Sequence, residues 1–325
     1  MPNILILTEG GEGIGLGHFT RCSALKNEAL RNEISCRLLL YWRGESSPPD
    51  NVELCDWHSG LENLRNRFSS DTFIVIDSYI LSANGYLLLK NFFSKVIAID
   101  DYNRIIYPPI DLIVNPNVYF PLIDYSLQAA SCIGGKDYVI LRHLFRNFHG
   151  EKNISENIKN VIITMGGSDY RGIIPRIASS FLDDKFNYQF ICGDELSARL
   201  NEKQFKKDNS TFYGYVSESQ MKDLMLRADI AITACGQTLH ELVHLGTPAI
   251  GICIDKDQEY NARFYVSVGV LPKMIYWNDS DLIPTIKSFL GEYDFFRRCS
   301  VSQIGYSLFN KNGIENILNE IISGC

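Results

Sequence analysis

The stretch GGEGIGLGHFTRC, residues 10–22, follows the apolar run NILILT (3–8) and precedes a segment of helical period. Five glycines and one histidine, His18, share its thirteen residues. An apolar run, a glycine turn and a helix make the opening unit of a doubly wound α/β domain, so this stretch decides the fold. Outward from it the same rhythm repeats: CRLLLYW (36–42), TFIVID (72–77) and KVIAID (95–100) alternate with helical segments over 18–32, 60–68 and 83–93. Such alternation predicts a parallel sheet covered by helices on both faces.

After DLIVNP (111–116) the pattern loosens through Tyr119 to Tyr138, and the polar stretch 148–160 reads as a linker. The rhythm then restarts with VIITMGG (161–167), YQFICGD (188–194), DIAITACG (229–236) and TPAIGICI (247–254), followed by helices from about 171, 195, 237 and 258. The prediction is two Rossmann-like domains, 1–150 and 151–325, facing a central cleft, since ligands of open α/β sheets lie beyond the carboxyl ends of the strands.

Bulk composition narrows the function. With 325 residues, 46% hydrophobic and 21% charged, the chain has the balance of a globular protein, and no apolar run approaches the ~20 residues of a membrane span. Its start lacks the basic region of a signal peptide, so a cytoplasmic location is expected. The nine cysteines are scattered without a C-x-x-C pair, which argues against zinc and against a disulfide framework; no metal and no cofactor is expected. A net charge of −7 and no Lys/Arg run longer than two argue against a nucleic-acid surface. A bound phosphate must then be held locally, by loop amides and helix ends. A monomer is favoured.

A G-x-G-x-x-G search over the opening loop suggests nicotinamide binding, but the third position falls on Leu16 and the second strand ends without an acidic residue for a ribose. The loop instead places His18 where a helix begins. The positive end of the helix dipole disfavours protonation, so His18 is expected to be neutral and able to accept a proton, with Arg21 one turn further on. In the second half, Gly166, Gly167 and Ser168 end a strand and open a helix whose amides suit a diphosphate; a plain helix cap at Ser-Asp is the alternative. Gly236, Gln237 and Thr238 repeat that arrangement, with Glu241 one turn later on the same face, suited to ribose hydroxyls. Gln258, Glu259 and Asn261 begin a further helix and suit sugar hydroxyls and N-acyl groups, and the turn at Gly214 before Val216 offers backbone groups to a flat base.

Together these motifs resemble a known family. The arrangement is similar to the glycosyltransferase-B fold, its uridine-nucleotide half resembling that of the lipid II N-acetylglucosaminyltransferases. More closely, the chain resembles the UDP-2,4-diacetamido-2,4,6-trideoxy-β-L-altropyranose hydrolases of pseudaminic acid biosynthesis and their spore-coat polysaccharide relatives. GIGLGHFTRC, VIDSYIL with Asp77 and Tyr79, AIDDY with Asp100 and Asp101, DLIVNPN with Asn115, GGKDYVILRHLF, TMGGSD, ITACGQTLHEL and NKNGIENI carry the likeness in order along the chain. His240, Cys235 and Asp257 depart from the family pattern.

The resemblance implies hydrolysis of a UDP-linked deoxy-diacetamido sugar to UDP and free sugar, with His18 as the base that activates water. It implies sugar contacts from Gly15, Gly17, Arg21, Tyr79, Asp101, Gln258, Glu259 and Asn261. It implies nucleotide contacts from Gly166, Gly167, Ser168, Val216, Gly236, Gln237, Thr238 and Glu241. Asp100 and Asp101 stay open between orienting His18, binding substrate and capping a helix. A glycosyltransferase using the same UDP-sugar donor is the alternative enzyme, and a nucleotide-sugar binding protein without turnover the third reading.

Overall fold

The computed structural model describes residues 3–45, 47–166, 169–181, 185–201, 205, 208–309 and 311–323. The chain divides into two compact units, Met1–His143 with Asn310–Cys325, and Leu144–Phe309. These units differ from a division after residue 150 in two ways: 144–150 go with the second unit, and the chain's end returns to the first.

The first unit is built on β1 (Ile4–Gly11), β2 (Cys36–Arg43), β3 (Glu53–Leu54), β4 (Phe73–Asp77), β5 (Lys95–Ile99), β6 (Leu112–Asn115) and β7 (Ser131–Gly134). All pairs run parallel, in the order β3-β2-β1-β4-β5-β6-β7. β1 shows why its sequence reads as one apolar run: Ile4 and Ile6 enter one core, Leu5 and Leu7 the other, and all four are buried. β6 forms from DLIVNP, and β7 lies in the region where the sequence pattern loosens.

The return of the C-terminus has a physical cause. The helix Gly313–Ile322 buries Ile314, Ile317, Leu318 and Ile321 in the first unit's core, one stripe at helical spacing. Its first residue has to be glycine, because a Cβ there would lie 2.2 Å from the Val139 carbonyl oxygen. The apolar stripe is visible in the sequence, but which sheet it covers is not.

The second unit carries β8 (Asn160–Thr164), β9 (Asn187–Ile191), β10 (Ser210–Tyr213), β11 (Ile230–Ala234), β12 (Ala249–Cys253) and β13 (Ile275–Tyr276). These are again all parallel, in the order β10-β9-β8-β11-β12-β13. In both units the strand order reverses between the first strand and the fourth, which is where doubly wound sheets bind ligands. The helices Gly17–Arg31, Leu61–Arg67, Ala83–Phe92, Ile173–Phe181, Asp194–Asn201, Gln237–His244 and Glu259–Ser267 follow the strands as the sequence rhythm anticipates. Among the described residues no helix is long and apolar enough to cross a membrane.

Candidate functional site

The glycine loop first. Gly11 and Gly15 bond to each other through both backbone groups, Gly11 N to Gly15 O at 3.2 Å and Gly15 N to Gly11 O at 2.8 Å. Gly11 has φ +106°, and a Cβ on it would stand 2.1 Å from the Arg43 carbonyl oxygen. The loop's glycine density thus serves a tight fold-back over the end of β2, not a dinucleotide. Gly15 (φ +81°) and Gly17, the first residue of the helix Gly17–Arg31, each face open space where a Cβ would project.

On that helix His18, Arg21 and Cys22 stand at i, i+3 and i+4 and turn the same way, toward the carboxyl ends of the central strands. Parallel register assembles their partners: Thr8 pairs with Asp77, Asp77 with Ile99, and Ile99 with Val114, so Asp77, Asp101, Asn115 and Asn117 gather at adjacent strand ends. His18 Nδ1 lies 2.6 Å from Asp77 Oδ1. Arg21 spans two carboxylates, reaching Asp77 from Nε and Nη2 (2.6 Å each) and Asp101 from Nη1 and Nη2 (2.7 and 2.9 Å). Asp101 also accepts from the Tyr79 hydroxyl and from Asn117 Nδ2, both at 2.6 Å. The Cys22 thiol completes the shell of Asp77 at 3.4 Å.

Arg21 and Asp101, both expected at the sugar, are buried and bonded to one another, so they also tie the cluster together. Asp77 is the group that orients His18. Its carboxylate fixes Nδ1, which leaves Nε2 as the ring nitrogen with no hydrogen bond to any described residue. The Tyr79 ring meets the His18 ring edge-on, with centroids 4.3 Å apart. Asp100 takes a different part: it accepts from the amides of Tyr102 and Arg104 and from the hydroxyls of Tyr107 and Tyr125, closing the turn after β5.

The electrostatics also depart from the helix-dipole expectation. Burial pushes the His18 pKa down, but the charge and hydrogen bond of Asp77 outweigh it, and the imidazole is raised above 6.5. Burial would raise Asp77 and Asp101; Arg21 between them overrides it and holds both carboxyls below 3.8. His18 is therefore a stronger base than a free imidazole. The sequence marks Asp77 as an ionisable residue ending a fully apolar strand and within VIDSYIL, and Asn117 only as the last residue of DLIVNPN.

In the second unit Gly166 follows β8, Gly236, Gln237, Thr238 and Glu241 follow β11, and Val216 follows β10. Gly166 (φ +88°) ends the β8 segment, and Gly167 and Ser168 lie outside the described residues. Asp169 caps the next helix, accepting from the amides of Ile173 and Ile174 at 2.9 and 2.8 Å. Thr164 pairs with Thr233, which brings the Gly166 and Gly236 turns to neighbouring strand ends.

Gly236 begins the helix Gln237–His244 without a side-chain cap; Gln237 and Thr238 follow half-buried, and Glu241 is buried one turn on. A Cβ at Gly236 would meet only Gln258 Nε2, at 3.6 Å, so that amide sits beside the turn. Asn261 Nδ2 donates to the Cys235 carbonyl at 3.1 Å, while its Oδ1 is buried with no partner among the described residues. Glu259 pairs with Arg263 one turn along its helix, 3.5 Å away. Val216 follows a turn fixed by Asp194, which accepts from the Tyr215 amide at 2.7 Å. His240 points into the core, bonded to the Tyr265 hydroxyl.

Residues 160–285 match the Glycosyltransferase family 28 C-terminal domain. The Acinetobacter baumannii MurG structure superposes with a TM-score of 0.64 at 13% identity, covering 98% of this chain and 99% of that one. The fold is glycosyltransferase-B.

Among curated relatives, an uncharacterized Methanocaldococcus jannaschii protein is 25% identical over 76% of this chain and 54% of its own. A Helicobacter pylori protein, named pseudaminic acid cytidylyltransferase and UDP-2,4-diacetamido-2,4,6-trideoxy-beta-L-altropyranose hydrolase, is 24% identical over 79% of this chain and 45% of its own. The chain spans about half the length of these relatives, to which it is distantly related.

Proposed function

We propose that this glycosyltransferase-B chain hydrolyses a UDP-linked 2,4-diacetamido-2,4,6-trideoxyhexose to UDP and the free sugar in nonulosonic acid biosynthesis. The observation that carries the reading is the His18–Asp77 pair at 2.6 Å, with the second imidazole nitrogen left without a hydrogen-bond partner among the described residues. Nε2 takes a proton from water, the water oxygen attacks the anomeric carbon, and the bond to the diphosphate breaks with its electron pair leaving on UDP. Asp77 stabilises the imidazolium that forms, and Arg21 keeps Asp77 ionised. The backbone turns at Gly166 and Gly236 hold the diphosphate through helix-start amides, and Glu241 takes the ribose. Gln258 and Asn261 meet the sugar, the free Asn261 oxygen serving as acceptor for an N–H or O–H.

Incubation with UDP-linked 2,4-diacetamido-trideoxyhexoses and no acceptor tests this: UDP and free sugar should appear in equal amounts. Release of UDP only after an acceptor is added would make the chain a transferase with the same donor.

The rate should also rise with pH through a value above 6.5, since His18 acts only when neutral and its pKa is raised. Asp77→Asn should move that limb to lower pH, because the raising charge is gone, and lower the plateau by turning the wrong nitrogen outward. A limb that stays in place in Asp77→Asn would show that another group sets it.

A further inference from the structure

A second buried carboxylate lies behind the His18 cluster. Glu9, near the end of β1, is fully buried and accepts from the Tyr79 amide through Oε1 and from the Ser78 hydroxyl through Oε2, both at 2.6 Å. Ser78 Oγ in turn accepts from the amides of Ile80 and Leu81 at 3.0 Å. The turn leaving β4 is thus tied to β1 through one side chain.

His58 closes the far side of Glu9, its Nε2 buried 3.3 Å from Oε2 as a close polar contact outside hydrogen-bond geometry, with no hydrogen bond to any described residue. Its ring is held by stacking on Trp57 at 3.7 Å and by the edge contact with Tyr41 at 4.7 Å. Trp57 is itself bolted to β1, donating Nε1 to the Thr8 carbonyl at 3.0 Å. Burial would raise the Glu9 carboxyl, but His58, Ser78 and the Tyr79 amide lower it, so Glu9 is a charged group inside the fold.

The segment that Glu9 grips belongs to Tyr79, the residue whose ring lies against His18 and whose hydroxyl is fixed by Asp101. His18 is held only at its Nδ1 end, 2.6 Å from Asp77 Oδ1 and 3.2 Å from Arg21 Nη2, which leaves the imidazole free to tilt about that end. The edge-on Tyr79 ring removes the tilt and so sets where Nε2 points. We propose that Glu9, held by His58 and Ser78, is a positioning residue that aims His18 through Tyr79. This rests on the reading of His18 as the base.

Glu9→Gln keeps the size and removes the charge. It should lower kcat by about 10- to 100-fold, the range for groups that orient a ligand from behind, while KM moves by less than about threefold. The ring 15N and 13C resonances of His18 should shift in the same variant. In a Tyr79→Ala background the further loss from Glu9→Gln should shrink to about twofold or less, since contacting residues that act in series are not additive. His58→Asn, on the outer side of the pair, should show a smaller loss with the same dependence on Tyr79. It carries the cycle if Glu9→Gln does not fold.

A loss that persists in full without Tyr79, or His18 resonances unmoved by Glu9→Gln and by His58→Asn, overturns the proposal. Absence of turnover in the unaltered protein would instead sink the hydrolase reading; the His18 resonances test the Glu9 coupling without any substrate.

Discussion

His18→Ala should lower kcat for UDP-sugar hydrolysis by about 10²- to 10⁴-fold, the contribution of one positioned general base. UDP affinity should be unchanged, because the residues proposed to hold the nucleotide belong to the second unit and His18 to the first. The size of the effect follows from the arrangement around the ring. Asp77 fixes the tautomer and raises the basicity of the imidazole. His18→Asn, which keeps a polar group of similar reach, should recover little, since an amide cannot take the proton. Full activity in either variant, with UDP binding measured by calorimetry, would remove His18 from the mechanism.

Arg21→Met should be the most destabilising single change in the first unit, costing about 3–5 kcal/mol, because it strands two buried carboxylates that share one guanidinium. The pH dependence gives this prediction a signature. In the unaltered protein Asp77 and Asp101 titrate below 3.8, so their contribution is fully present above that value and is lost as pH falls through their folded values.

Without Arg21, burial dominates and the same carboxyls titrate above 3.8, so acidification toward 4 relieves the variant while the parent keeps its carboxylate contribution. The stability difference between the two should therefore narrow as pH is lowered toward 4, measured by urea denaturation. A difference constant from pH 7 to pH 4 would mean that the loss is one of packing and not of charge. His18 adds the opposite slope at the other end: its raised pKa contributes stability below 6.5 that disappears as pH rises through its folded value. Removing Asp77 should abolish that slope as well.

Much of this architecture is legible in the chain itself. Strands covered on both faces must be apolar throughout, so NILILT, TFIVID and KVIAID announce themselves, and the helices between them carry their apolar stripes locally. The short β7 pairing does not, because Ser131–Gly134 is half-exposed and lacks a distinguishing pattern. The candidate site divides along the same line. His18 is conspicuous where it stands, and Gly236 with Gln258 and Asn261 follow strand ends at readable positions. The glycines of the opening loop misdirect a dinucleotide search, since their use is the close approach of Gly11 to Arg43 and the Gly11–Gly15 fold-back.

The sequence by itself determines two doubly wound sheets, the positions of their strand-to-helix turns and the histidine that opens the first helix, because each depends on residues close together in the chain. The tertiary structure alone decides what His18 is. Its partner Asp77 is 59 residues away, Arg21 reaches Asp101 across 80, and Glu9 reaches Tyr79 across 70. These contacts exist only once parallel register lines up the strand ends. The same holds for the last helix, whose apolar stripe requires a covering surface but leaves open which one. Burial and charge at a distance turn a helix-start histidine expected to be neutral into one whose basicity is raised by a carboxylate.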